Sequence, residues 1–293
     1  MSNSNPKKHK ASDRLAVAHK VLGILRKKYG QALPRQALPV LETVLFAACL
    51  ENVSQGQAEA VYARLLASFH DLNEIRVSSI SEIEQVLCDL PQPEWRALRI
   101  REALQFTFEN YYSFELDQLK RKTLDVAEKQ LGQIRYLSPF IRAYTLQHCL
   151  GAHVVPVDEL SCTVLAWLGL VPGDASSEAA GEEMKGALRK NESAQFCHLI
   201  RAVASDRKYA GTFAFSGRAA EGGAGDLPTA AKRLLEHLAR PPKKPVTKAH
   251  RKPARNARKA ASSPRGHSAR GSVRKRVSKP KAGAARKKRP TAR

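Results

Sequence analysis

Apolar residues recur at helical period almost without a break from Ser12 to about Ala239, and no segment alternates as a half-buried strand would. In "DRLAVAHKVLGILRKKYG" the pattern sets Leu15, Ala18, Val21, Leu22 and Leu25 on one face, and Gly30 stops the helix. "LPVLETVLFAACL" is apolar almost all round, as a helix buried on every side would be. "SQGQAEAVYARLLASF" opens on Ser54, a suitable cap, and "SISEIEQVLCDL" pairs Ser81 with Glu84 at capping-box spacing. Pro93 suits the first turn of "PEWRALRIREALQFTFENYY", and "LDQLKRKTLDVAEKQL" reads as one further helix. More helices are expected over about 137–150, 158–169, 176–189, 193–206 and 228–239, with the Gly-rich "FAFSGRAAEGGAGDLP" as a loop before the last. The fold class is therefore all-α, with about ten helices and no internal repeat.

Charge divides the chain where periodicity does not. Residues 241–293 hold 20 of the 50 basic residues and no acid, which leaves 30 basic against 27 acidic residues in 1–240. A segment of Lys, Arg, Pro, Ala and Ser cannot repay its ordering entropy by burial, so a disordered basic tail is expected over 241–293, and residues 1–12 are expected to be disordered too. Lys243, Lys244, Arg251, Lys252, Arg274, Lys275, Arg276, Arg286, Lys287, Lys288 and Arg289 are its densest cations and suit a polyanion. Cys49, Cys88, Cys149, Cys162 and Cys197 are odd in number and without a CxxC pair, which points to buried reduced thiols rather than a metal site or disulfides. No secretory h-region and no run of membrane-spanning length is present. A cytoplasmic, nucleoid or nuclear monomer is expected.

One stretch breaks the pattern. "YLSPFIRAYTLQHCLGAHVVPVDEL", residues 136–160, runs as an apolar helix into Gly151, crosses a stiff apolar link, and puts Asp158 where another hydrophobe would be usual. Asp158 is either a helix cap or a reagent. The order helix, turn, helix, Gly, apolar link, Asp, helix in "YLSPFIRAYTLQHCLGAHVVPVDELSCTVLAWLGLV" resembles the helix-hairpin-helix DNA glycosylase superfamily, endonuclease III in particular. The match rests on the spacing from Gly151 to Asp158 and on Pro156-Val157-Asp158. "LETVLFAACLENVSQGQAEAVYARL" is similar to the family's early buried helix and "FCHLIRAVASDRKY" to its closing helix, so the likeness spans about residues 13–210.

The resemblance implies a two-lobed fold, with a lobe of 39–154 inserted between 13–38 and 155–240, and duplex DNA as partner. It implies a role in base excision repair in which Asp158 stabilises the cation that forms as a flipped-out base leaves its sugar. Tyr136, Leu137, Ser138 and Phe140 fall on the hairpin that meets a DNA phosphate. Phe140 stands where lyase members carry a lysine, and no lysine lies between Lys129 and Lys185, so a monofunctional glycosylase is implied. Tyr136-Leu137-Ser138 replaces the usual Gly-x-Gly, and Pro139 has no N–H to offer. No cysteine follows Cys197, so neither an iron–sulfur cluster nor any other cofactor is expected. Cys49 takes the approximate place of the family's wedge glutamine.

Other side chains read more plainly. His148, His153 and His198 suit partly buried histidines, though the first two could line a cleft near Asp158. Trp95 and Trp167 are assigned to the core. Arg96, Arg99 and Arg101 form a basic cluster that either meets phosphate or faces solvent. Glu159, about 100° round the helix from Asp158, need not share its site. The alternative to an enzyme is a non-catalytic DNA-binding or nucleoid protein on a degenerate glycosylase fold; an interaction scaffold with an RNA-binding tail is a third reading.

Overall fold

The computed structural model describes residues 10–34, 37–209, 213 and 226–239, and among them holds twelve α-helices, two short 3₁₀ turns and no strand. The helices are α1 (Ala11–Tyr29), α2 (Val40–Leu50), α3 (Gln55–Ser68), α4 (Leu72–Val77), α5 (Ile80–Val86) and α6 (Pro93–Tyr111), then α7 (Leu124–Gln133), α8 (Pro139–Leu150), α9 (Glu159–Trp167), α10 (Ser177–Lys185), α11 (Lys190–Ser205) and α12 (Ala230–Ala239). The basic tail, the first nine residues and most of the Gly-rich loop lie outside the described residues.

Two apolar cores form. The first gathers residues 40–152 around α2, whose side chains are buried at every position but Glu42, with α3, α6 and α8 packed on it. Such a helix has no solvent face for charge, which is why its sequence is apolar all round. Its N-terminus is capped from a distance, since Pro39 lacks a capping side chain and Asp117 accepts the Val40 N–H at 2.8 Å. The second core joins Val17, Val21, Leu22 and Leu25 of α1 to residues 155–234, so the chain's first helix packs on α11 and α12.

Local signals act as read at Gly30, Ser54 and Pro93, which end α1, cap α3 and open α6. Four readings change. The capping box is Ser79 with Glu82, not Ser81 with Glu84; from that start Ile80, Ile83 and Leu87 fall on one face toward the core. "LDQLKRKTLDVAEKQL" is two pieces, a 3₁₀ turn over Asp117–Arg121 and then α7, because Leu119 and Ala127 are buried in the same core by different turns. Cys88 is exposed, whereas Cys49 and Cys197 are buried and burial pushes both thiols up to about 12. Trp95 is not in the core: it is 51% exposed beside Tyr136.

Two arginines of the α6 cluster are tied into the fold, while Arg101 is half-buried beside Glu102. Arg96 is buried and donates to the carbonyls of Ala48, Cys49, Glu51 and Pro91, so it closes the open C-terminal end of α2. Arg99 pairs with the Glu51 carboxylate and donates from Nε to the Tyr136 carbonyl at 3.1 Å.

Candidate functional site

The site is built where the apolar link reaches α9. Gly151 ends α8 in the left-handed conformation (φ 62°) that a glycine adopts without strain. The chain then runs extended through Val154, Val155 and Val157, which enter the two cores in turn. Gln147 Nε2 donates to the Val154 carbonyl at 2.7 Å and to Ser193 Oγ at 2.9 Å, and so ties the link to α8 and α11. On its other side Gly181 of α10 approaches so closely that a Cβ there would stand 2.7 Å from the Val155 oxygen. A strap held on three sides delivers Asp158 to a fixed place.

Asp158 is the N-cap of α9, and Oδ1 accepts the Ser161 N–H at 2.9 Å. Oδ2 accepts the Asn52 N–H at 3.0 Å and lies 3.4 Å from Nε of Arg201. Asn52, in the left-handed conformation (φ 60°), returns the bond: its side-chain oxygen accepts the Leu160 N–H at 3.2 Å. The α2–α3 turn and the α9 N-terminus therefore cap each other reciprocally. The Asp158 side chain has no solvent exposure. The Arg201 side chain is nearly as enclosed, its guanidinium 4.9 Å from the centre of the Phe140 ring and 5.9 Å from that of Tyr144. Phe140, which the resemblance aligns with a lysine, here presents a π face to a cation that comes from α11.

Above Asp158 lies a cleft of about 280 Å³, whose lining includes Glu51, Asn52, Gln92, Arg99, Pro139 and Glu159. Val157 and Glu159 both reach it and Asp158 between them does not, so the carboxylate sits under the floor. Gln92, Pro139, Glu159 and Ser177 mark the N-terminal ends of α6, α8, α9 and α10, so four helix N-termini converge on one cavity. Each carries about half a positive charge, which favours an anion, although Asp158 and Asn52 already accept the Ser161 and Leu160 N–H groups of α9, and Ser138 and Ser176 cap α8 and α10. Asn52, Gln92 and Tyr136, three of the four non-glycine residues at positive φ among those described, also lie in or beside the cleft. Backbone strain of this kind collects at functional sites.

The hairpin residues separate by exposure. Tyr136 is 50% exposed, Leu137 and Ser138 are half-buried, and Phe140 is buried at 2% and lines the cleft from within. Ser138 caps α8 by accepting the Ile141 N–H at 3.2 Å, which leaves the Phe140 N–H as the free first-turn donor. His148 stacks on Tyr144, ring centres 4.0 Å apart; burial first, then the Arg201 charge, lowers its pKa to about 4. His148 and His198 line a smaller cavity with Arg201, away from the cleft, and the His153 ring lies 3.1 Å from the Leu188 carbonyl. Cys49 is buried, so it cannot act as a wedge. Trp167 packs on Phe213 and His237. The cations from Lys243 to Arg289 lie outside the described residues. Among those described, no group of three or more His, Cys, Asp or Glu is placed to hold a metal, and no helix is long and apolar enough to cross a membrane.

Two partners of Asp158 were not foreseen. Arg201 carried a signal, since it falls four residues after Cys197 on the apolar face of α11. Asn52 carried only the weak one of an asparagine in a turn.

No family model matches the sequence, and no curated relative is found by sequence comparison. Solved structures do match. A non-covalent endonuclease III–DNA complex superposes with a TM-score of 0.52 at 13% identity, over 76% of this chain and 98% of the other. A trapped endonuclease III–DNA covalent intermediate, an estranged-adenine complex, gives 0.51 at 14% identity over 64% and 84%. The chain has the endonuclease III fold. A thermostable thymine-DNA glycosylase gives 0.49 at 13% identity over 67% and 87%. Within the endonuclease III fold, the Asp158 strap joins the residue 40–152 core to the other, and the cleft opens at that join.

Proposed function

We propose that the protein binds duplex DNA and removes a damaged or mispaired base by hydrolysis of its N-glycosidic bond, as a monofunctional glycosylase in base excision repair. The observation that carries this reading is an aspartate held rigidly beneath a cleft on which four helix N-termini converge, in a fold shared with endonuclease III. The helix ends favour backbone phosphate around the cleft, and a cleft of about 280 Å³ admits a flipped nucleobase. Asp158 supplies negative charge toward the sugar as the base departs. Phe140 offers no amine, so no Schiff base forms. Duplex DNA is the partner, and the tail cations from Lys243 to Arg289 are assigned to its phosphates by sequence.

The Asp158–Arg201 pair favours a second reading. A carboxylate neutralised by a guanidinium and closed from solvent stabilises a sugar cation poorly, so the same fold would bind DNA without cutting it.

The test incubates the full chain with duplexes carrying uracil, oxidised, alkylated or mismatched bases and measures free base. Release that is lost in Asp158→Asn, checked for folding by circular dichroism, supports the glycosylase. DNA binding without release from any duplex establishes the second reading. Borohydride should trap no covalent adduct, and an adduct would refute the role given to Phe140. Deleting residues 241–293 should flatten the plot of log affinity against log salt, by about 0.9 for each phosphate contact removed.

A further inference from the structure

Trp95 and Tyr136 form an exposed aromatic pair that the chemistry beneath the cleft does not use. The two rings lie 6.2 Å apart with planes inclined at 59°, and the residues are 51% and 50% exposed. The core below is complete without them, since Ala97 and Ile100 of α6 and Ile134 before the hairpin are already buried.

The backbone holds this pair in place against its own preference. Tyr136 has φ 63°, a conformation its Cβ disfavours and a glycine would take freely. Arg99, anchored on Glu51, donates to the Tyr136 carbonyl and fixes the turn against the helix that carries Trp95. The ledge sits at the rim of the cleft: Gln92 and Arg99 on either side of Trp95 line it, as does Pro139 three residues after Tyr136. Exposed Arg135 adjoins the pair, and the N-termini of α6 and α8 open beside it. An apolar protein partner would need a broader apolar face, and this one is bounded by exposed Glu94, Gln92 and Gln133. Two π faces flanked by positive charge match a base with its phosphate.

We propose that Trp95 and Tyr136 are a stacking platform for an unpaired nucleobase at the rim of the cleft. The inference rests on the DNA-binding reading above and adds to it a preference for DNA with an unpaired base. In a paired duplex both faces of each base are covered, so only a base without its partner can use the platform.

The experiment uses the full chain in a Trp167→Phe background, so that Trp95 is the remaining tryptophan. Two duplexes of one sequence are compared, one fully paired and one with a single bulged 2-aminopurine, by fluorescence anisotropy, tryptophan emission and 2-aminopurine emission. The bulged duplex is expected to bind more tightly and to quench Trp95. Trp95→Ala should lose about five- to tenfold in affinity for the bulged duplex, the low end of one base–aromatic stack, and little for the paired one. Trp95→Phe should restore most of that loss. Tyr136→Gly, which relieves the backbone while removing the ring, should also weaken the bulged duplex selectively. If the parent binds both duplexes and Trp95→Ala binds them as the parent does, the platform is refuted and the DNA-binding reading stands. If the parent binds neither duplex, both fall.

Discussion

Replacing Asp158 by asparagine tests the arrangement at its centre. Asparagine caps a helix about as well as aspartate, so the Ser161 bond can survive. The second oxygen is the difficulty: an amide nitrogen there would face two donors, the Asn52 N–H and Arg201 Nε. Arg201 would then be a buried charge whose Nη2 already has no hydrogen-bond partner, left with the faces of Phe140 and Tyr144. A cation–π contact contributes about 0.5–2 kcal/mol, whereas breaking a buried pair from one side costs about 3–5 kcal/mol, so the net loss is set near the latter. Arg201→Met should cost less, about 1–2 kcal/mol, because Asp158 keeps two backbone N–H bonds and a helix N-terminus. The double variant should therefore be more stable than Asp158→Asn alone, with a coupling of about 2–3 kcal/mol. Urea unfolding of the four proteins by far-ultraviolet circular dichroism measures all three quantities. An Asp158→Asn loss below about 1 kcal/mol, or strict additivity, would refute the account of this pair.

Arg96→Met should lower stability by about 3–5 kcal/mol, since four carbonyls, those of Ala48 and Cys49 in buried bonds, lose their donor at once; a thermal melt within a degree or so of the parent would contradict this. Gly181→Ala should cost about 1–3 kcal/mol in the same urea assay, because its Cβ meets the Val155 carbonyl and α10 must retreat from the strap; no loss would show the contact to be loose. His148 binds its proton near 6.5 when unfolded and at about 4 when folded, so stability should fall as pH drops through that window and level off below it. Because part of the residue is exposed, the fall should be about 1 kcal/mol, and His148→Phe, which keeps the stack on Tyr144, should remove it.

The all-α class was legible because helical period, caps and stops are properties of neighbouring residues. Gly30, Ser54, Pro93 and the cap at Asp158 each depend on atoms within one turn, so the local sequence specifies them. The Ser79 cap shows the limit, for two serines two residues apart offer equal local chemistry, and only the burial of Ile83 and Leu87 selects between them. The same limit hid the partners of Asp158, since Asn52 lies 106 residues away and Arg201 43, and no periodicity links positions that distant. The apolar character of Trp95 points to the core, whereas its exposure depends on the turn that brings Tyr136 beside it. Residue order by itself determined the helical class and most of the helices, and it singled out the acid. Tertiary structure decided which charge faces that acid and which rings face solvent, because burial and pairing are relations between segments that meet only when the chain closes on itself.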